Sequence, residues 1–157
     1  MLRTEDVLRT VRMLQEENLD VRTVTLGINL MDCSSPDIEQ MCSKIERKIL
    51  KKAHRLVPVC DDISAKYGIP IVNKRLAVRP ISSVAAGHGE EGLMQVARTL
   101  DRVAAQAHVD LVGGYTALVQ KGFTESERAL LRSLPAVLAT TERVCSSVNV
   151  ATTKTGI

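Results

Sequence analysis

Apolar and polar positions change their period several times along the chain, and each change marks a predicted element. Val7, Leu8, Val11 and Leu14 recur at helical spacing. Thr4 precedes them as an N-cap, and Glu5 and Asp6 suit the positive end of a helix dipole, so a helix is expected from there to about Asn18. The clearest strand follows over 24–30, where Val24, Leu26, Ile28 and Leu30 alternate with Thr25, Gly27 and Asn29. Ser35-Pro36-Asp37 then offers a cap, a fixed φ and an acid, which starts a long helix over 36–56. Its apolar stripe is Ile38, Met41, Ile45, Ile49 and Ala53.

A shorter helix is expected over 61–67, stopped by Gly68. A second strand reads 71–78 and ends at Pro80. It sets Val72, Leu76 and Val78 against Asn73 and Arg75, with Lys74 out of place on the apolar side. Residues 81–92 are small, polar and Gly-rich, which predicts a surface loop with His88-Gly89-Glu90-Glu91 as a flexible connection. A helix over 91–107 and a short buried strand over 109–112 come next, the strand running into Gly113-Gly114. Thr124 and Glu127 form a capping box for another helix, which Pro135 and its successors continue or follow with a further turn. The last strand, 144–151, places Val144, Ser146, Val148 and Val150 on one face and Cys145, Ser147, Asn149 and Ala151 on the other.

Helices and strands thus alternate four times, which argues for one α/β domain over residues 1–157 with largely parallel pairing. The chain closes just after its last strand, without a helix to cover it. A parallel sheet wants both faces covered, so that strand is expected to need something that this chain does not supply.

Composition narrows the function classes. Tyr67, Tyr115 and Phe123 are the only aromatic residues, so an aliphatic core is expected, a base-stacking platform for nucleic acid loses support, and no nucleic-acid partner is expected. The net charge of +3 is no electrostatic footprint. Lys44, Lys48, Lys51 and Arg55 read as the solvated outer face of the long helix. No apolar run reaches membrane-spanning length and no signal peptide is visible, so a cytoplasmic location with reduced thiols is expected. The four cysteines, Cys33, Cys42, Cys60 and Cys145, show no zinc spacing. Cys42 and His54 on one straight helix would stand about 18 Å apart, too far to share an ion, so no metal is expected.

Four phrases occur together in this order: Val21-Arg22-Thr23-Val24-Thr25-Leu26-Gly27-Ile28, Gly68-Ile69-Pro70-Ile71-Val72-Asn73-Lys74-Arg75, Gly113-Gly114-Tyr115-Thr116-Ala117-Leu118-Val119-Gln120-Lys121-Gly122 and Val144-Cys145-Ser146-Ser147-Val148-Asn149. In them the chain resembles an uncharacterised prokaryotic family grouped by fold with the pyruvate formate-lyase-like glycyl radical proteins. Members of that family are longer, and this chain is similar to their N-terminal part. The resemblance implies half of a ten-stranded α/β barrel, completed by a homo-oligomer or by association with the missing C-terminal portion. It implies no activity, because fold does not fix function. Glycyl radical chemistry needs a radical-bearing glycine near the C-terminus and a thiol facing the substrate. Cys145 matches no such thiol loop, and the role is not carried over.

Ligands of α/β proteins gather beyond the carboxyl ends of strands. Those ends are expected at Asp32 and the residues to Ser35, at Pro80 with Ser82 and Ser83, at Gly113-Gly114, and from Asn149 to Lys154. Gly113-Gly114 permits a close ligand, but no phosphate-cradling motif surrounds it and a plain turn is the favoured reading. Gln120 and Lys121 offer an amide and a cation to an anion, or a solvated turn. Cys145 offers a nucleophile, but no histidine is near it in sequence, and buried packing is favoured. Ser147, Asn149 and Lys154 are the better candidates for a site. No motif names a cofactor. Two classes stay open: an enzyme-like protein binding a small polar or anionic metabolite at the strand ends, and a non-catalytic metabolite-binding or regulatory protein on the same barrel.

Overall fold

The structure is a computed structural model that describes residues 3–16 and 20–152. In chain order the elements are α1 (Thr4–Gln15), β1 (Val21–Ile28), a 3-10 turn (Met31–Cys33), α2 (Ile38–Ala53), α3 (Leu56–Tyr67), β2 (Ile71–Val78), α4 (Ile81–Val84), α5 (Glu90–Gln106), β3 (Leu111–Leu118), α6 (Glu125–Thr140) and β4 (Val144–Asn149). The strands form one sheet in the order β1-β2-β3-β4, and every neighbouring pair is parallel. Consecutive parallel strands joined by right-handed crossovers send each connecting helix to the same side. Accordingly α5 packs between α2 and α6 as one helical layer. The core lies between that layer and the sheet: Met41, Ile45 and Ile49 of α2, Leu93, Val96 and Leu100 of α5 and Leu130 and Val137 of α6 meet Ile28, Leu76, Val112 and Val144.

The alternating strand and helix order predicted for the chain is the one found, and local chemistry accounts for several boundaries. Gly68 ends α3 at φ +67°, a conformation that costs glycine nothing. Thr124 and Glu127 form the predicted capping box, and α6 runs on through Pro135. Lys74 does face the helices, and it is tolerated there because Asp61 of α3 lies 3.3 Å from its ammonium.

Other boundaries are corrected. The cap of α2 is Asp37, whose carboxylate accepts from the backbone N–H of Glu39 and Gln40, rather than Ser35. α1 begins at Thr4, so Arg3 takes the cap position without a side-chain bond, and the helix stops at Gln15; the expected end at Asn18 lies outside the described residues. The long helix breaks at His54-Arg55, because Pro58 has no N–H for the carbonyl of His54 and its ring would clash with it. The expected loop 81–92 contains α4 and the start of α5, and Ile81, Ser82, Val84 and Ala85 are buried. His88 is held there, since its Nε2 donates to the Ser35 carbonyl at 2.8 Å.

The largest correction concerns β3, which runs through Gly113-Gly114 to Leu118 instead of ending before them. The pairing with β4 shifts by one residue between Gly113 and Tyr115, a β-bulge centred on Gly114. Gly114 has φ +124°, and a Cβ built on it would lie 2.5 Å from both the carbonyl oxygen and a methyl of Val78. No other residue type fits. The extra residue turns Tyr115 into the core, fully buried, where its hydroxyl meets Ser133 Oγ of α6 at 2.6 Å.

The 3-10 turn after β1 is tied to α2 by an ion pair between Asp32 and Lys48. The ammonium bonded to it holds the Asp32 carboxyl below the usual carboxylate range. A carboxyl depressed in the folded state stabilises above its unfolded pKa, and that contribution disappears as pH falls through the folded value.

Two outcomes are expected. Gly114→Ala should destabilise the protein by about 2 kcal/mol or more in chemical denaturation, from the strained φ and the clash together. Gly27→Ala meets open space at an ordinary φ and should change stability by less than about 1 kcal/mol. Equal costs would show that the bulge carries no special constraint. For the turn, Asp32→Asn should melt below wild type at neutral pH, with the gap closing progressively below about pH 4. A gap that does not change with pH would remove the ion pair from the account.

Candidate functional site

Every described helix that packs on the sheet does so from one side, so the strands carry one covered and one open face. Parity decides which residues lie where. In parallel strands paired residues point to the same side, and neighbours along a strand to opposite sides. Leu26, Leu76, Val112 and Val144 point into the helical layer. The open face therefore receives a row that crosses all four strands: Gly27, Ala77, Gly113 and Cys145, joined by their register pairs. One row toward the amino ends come Thr25, Arg75 and Leu111.

Beyond the bulge the same face continues with Thr116 opposite Ser147 and Leu118 opposite Asn149. The hydroxyls of Thr116 and Ser147 are 2.9 Å apart and bond to each other. The Asn149 carbonyl accepts from Val119 N–H at 2.9 Å, which leaves its side-chain amide at the exposed end of β4. Had the strand kept simple alternation past Gly113, Thr116 would face the helices and Tyr115 the open side. The bulge thus builds this face as well as the core.

The sequence-predicted residues divide into groups. Gly113, Cys145, Ser147 and Asn149 are brought together on the open face. Cys145 is exposed, which corrects the expectation of buried packing; Cys33, Cys42 and Cys60 are buried, and burial raises the pKa of all three. All four thiols are free. Gly114 serves the bulge, so neither the expected strand end nor a plain turn lies there, and the carboxyl end of β3 falls after Leu118.

Asp32 belongs to the turn after β1 and is occupied by Lys48. Ser82 is buried in α4 with no partner for its hydroxyl, while its carbonyl accepts from Ser126 Oγ at 2.7 Å. Ser83 and Lys121 are exposed. Gln120 follows β3, and its side-chain oxygen is buried without a partner. Lys154 lies outside the described residues.

Sequence reasoning missed Arg75, Arg79, Thr116 and Thr25 as members of a site. The signal for Arg75 was present, since alternation along β2 separates it from Leu76 and Val78. Thr116 could not be placed without the bulge. Arg75 Nε is buried and has no hydrogen-bond partner, which is costly for a charged group.

Among the described residues no helix is long and apolar enough to cross a membrane, and no three His, Cys, Asp or Glu side chains cluster as metal ligands. Residues 12–157 match the sequence profile of the family described as Uncharacterised ACR (DUF711). The chain is similar to a UPF0210 protein of Desulforudis audaxviator, 51% identical over 157 residues that make up 100% of this chain and 35% of the relative. UPF0210 proteins of Syntrophobacter fumaroxidans and Lacticaseibacillus casei are 52% and 50% identical over the same 157 residues, again 34% of each relative. The chain spans about a third of the length of these curated relatives. With almost the whole chain inside one profile and half its residues identical to several bacterial relatives, it belongs to the uncharacterised DUF711 family.

Proposed function

We propose that the open face of the sheet binds a small polar or anionic metabolite, and that the protein is an enzyme-like cytosolic one. The observation that carries this reading is the chemistry of that face. A parallel sheet with both sides in an apolar core reads as near-continuous Val, Ile and Leu. Here one side carries the Thr116–Ser147 hydroxyl pair, the Cys145 thiol and the Asn149 amide instead, around the bare backbone of Gly27 and Gly113. Such a surface suits a ligand that needs hydrogen bonds and close approach to the main chain.

The finer reading concerns architecture. The four strands would form part of a barrel like that of the pyruvate formate-lyase-like glycyl radical proteins, with the open face turned inward. The partner that completes it is the portion of chain that the longer relatives carry, or further copies of this chain. Support comes from the chain-order parallel sheet with its helices on one side, and from relatives about three times as long.

A second reading, a non-catalytic metabolite-binding or regulatory protein, is favoured by the surroundings of Cys145. A nucleophilic thiol needs an adjacent base. Among the described residues none of the histidines occupies the open face: His54 follows α2, His88 bonds to Ser35, and His108 follows α5. The Cys145 Sγ has only the Arg143 carbonyl, at 4.0 Å.

Native mass spectrometry of the purified protein tests binding. A retained small molecule is expected in wild type and should be lost from Ser147→Ala and Asn149→Ala, both exposed positions whose replacement leaves the core intact. Retention undiminished in both variants would move the site elsewhere. If Cys145→Ser keeps the ligand and all turnover of it, the non-catalytic reading is the one to hold.

A further inference from the structure

β2 carries a second feature on the open side. Arg75 and Arg79 stand four residues apart on the same parity, Arg75 within the strand and Arg79 one residue beyond its end. Neither forms an ion pair or a side-chain hydrogen bond with any described residue. Lys74 on the opposite side of the same strand has its carboxylate, Asp61, within reach. No acidic residue occupies an open-face position of any of the four strands. In the adjoining turns Asp32 pairs with Lys48 and Asp110 accepts from the backbone N–H of Lys74 at 2.7 Å, and neither these nor Asp20 or Glu142 forms an ion pair with either arginine. The open-face positions of the strands thus carry a cation and no carboxylate.

Between the two arginines lies Ala77, whose neighbours across the sheet are Gly27 and Gly113. At ~3.3 Å per residue the two arginine Cα atoms are separated by roughly 13 Å, and almost no side chain fills the interval. A long flexible side chain at each end of a bare stretch of backbone can grip one molecule from both sides. Guanidinium groups match carboxylate and phosphate oxygens in charge and in the fork of their donors. A buried Nε without a partner is a donor still waiting for an acceptor.

From this we infer that Arg75 and Arg79 are the anion-recognising residues of the open face, and that its ligand is a compact organic dianion, a dicarboxylate or a diphosphate. The assignment rests on the proposal that this face binds a metabolite, and it adds the charge class and the residues that read it. Arg75 reaches one anionic group inside the sheet, Arg79 the other at its rim. The Ala77 row leaves room for the short linker between them, and the Thr116–Ser147 hydroxyls lie one row further toward the carboxyl ends.

Isothermal titration of the full chain at low salt tests this with four probes: succinate, pyrophosphate, acetate as a single anion, and xylitol as a neutral polyol. Succinate or pyrophosphate should bind wild type at least tenfold more tightly than acetate. Which of the two binds better assigns the dicarboxylate or the diphosphate. Arg75→Gln and Arg79→Gln should each weaken the better probe tenfold or more, whereas Lys51→Gln on the outer face of α2 should not. Arg79 is exposed, so its variant keeps the fold and remains decisive if Arg75→Gln does not. The inference is overturned if neither dianion binds wild type, if folded Arg79→Gln binds as wild type does, or if Lys51→Gln loses as much. Xylitol bound in preference to both anions, with its binding lost in Ser147→Ala, would overturn the anion assignment and leave the metabolite-binding face standing.

Discussion

The contact between Gly114 and Val78 is the constraint on which most of this structure turns. β2 and β3 approach there so closely that even a methyl group on Gly114 would overlap the Val78 carbonyl. The positive φ that relieves the crowding also inserts one residue into the β3–β4 ladder. Because side chains alternate along a strand, one extra residue exchanges the two faces for everything after it. Tyr115 therefore goes into the core and finds Ser133, and Thr116 goes to the open side and finds Ser147. A single backbone irregularity sets both the largest buried side chain of the sheet and the hydroxyl pair of the candidate site.

Register at the amino ends is held by a different set of bonds. Asp110 accepts from Lys74 N–H with its carboxylate and donates its own N–H to the Lys74 carbonyl at 2.9 Å, which clamps the start of β3 to β2. Asp101 in the C-terminal half of α5 accepts from the backbone of Glu142 and Arg143 at 3.0 and 2.7 Å, fixing the entry of β4 against the helical layer. These clamps and the bulge together bring Ala77, Gly113 and Cys145 into one row. The site is a product of strand register, with each strand supplying one or two residues. Isolated motifs in the sequence could hardly reveal it.

How much the sequence disclosed follows the same division. β1 was legible because Val24, Leu26 and Ile28 keep a strict period, and β4 because Val144, Ser146 and Val148 oppose Cys145, Ser147 and Asn149. For Cys145 that alternation already pointed to the face away from the core, yet the general tendency of cysteine to be buried was given more weight. Position outranked residue type. β3 was cut short because Gly-Gly is an ordinary turn signal and the bulge breaks the alternation that continues in Ala117 and Val119. The N-termini of α1, α2, α5 and α6 were readable to within two residues, but α3 begins at Leu56 rather than 61 and α4 stands where a loop was expected; the break before α3 was placed too late, although Pro58 stood as its signal. Asp61, the partner that lets Lys74 sit among apolar neighbours, lies on an element whose packing no local pattern gives. Arg75 was placed on the right face, and its lack of a partner could be seen only once every neighbouring carboxylate had been located.

The open face also constrains what can meet it. By the same parity its large apolar side chains are the Val21–Ile71 pair at the amino ends of β1 and β2 and Leu111 and Leu118 at opposite ends of β3, so the Gly27–Ala77–Gly113–Cys145 row between them stays free of large apolar groups. A second helical layer or the apolar side of another sheet would leave Arg75, Thr116, Ser147 and Asn149 to be buried against groups that cannot bond to them, and each such group costs on the order of 1–3 kcal/mol. Whatever approaches must bring acceptors for the guanidinium groups and partners for the hydroxyls, or leave room for water. A barrel interior that holds a polar ligand satisfies this condition, since the strands that close it need not touch the opposite wall. A tightly interdigitated core does not. Enclosure would also exclude bulk solvent, and an arginine–anion contact gains strength as the effective dielectric around it falls. Relatives about three times as long and the bare, polar face of this sheet both fit the proposal of strands covered at a distance, with a ligand in between.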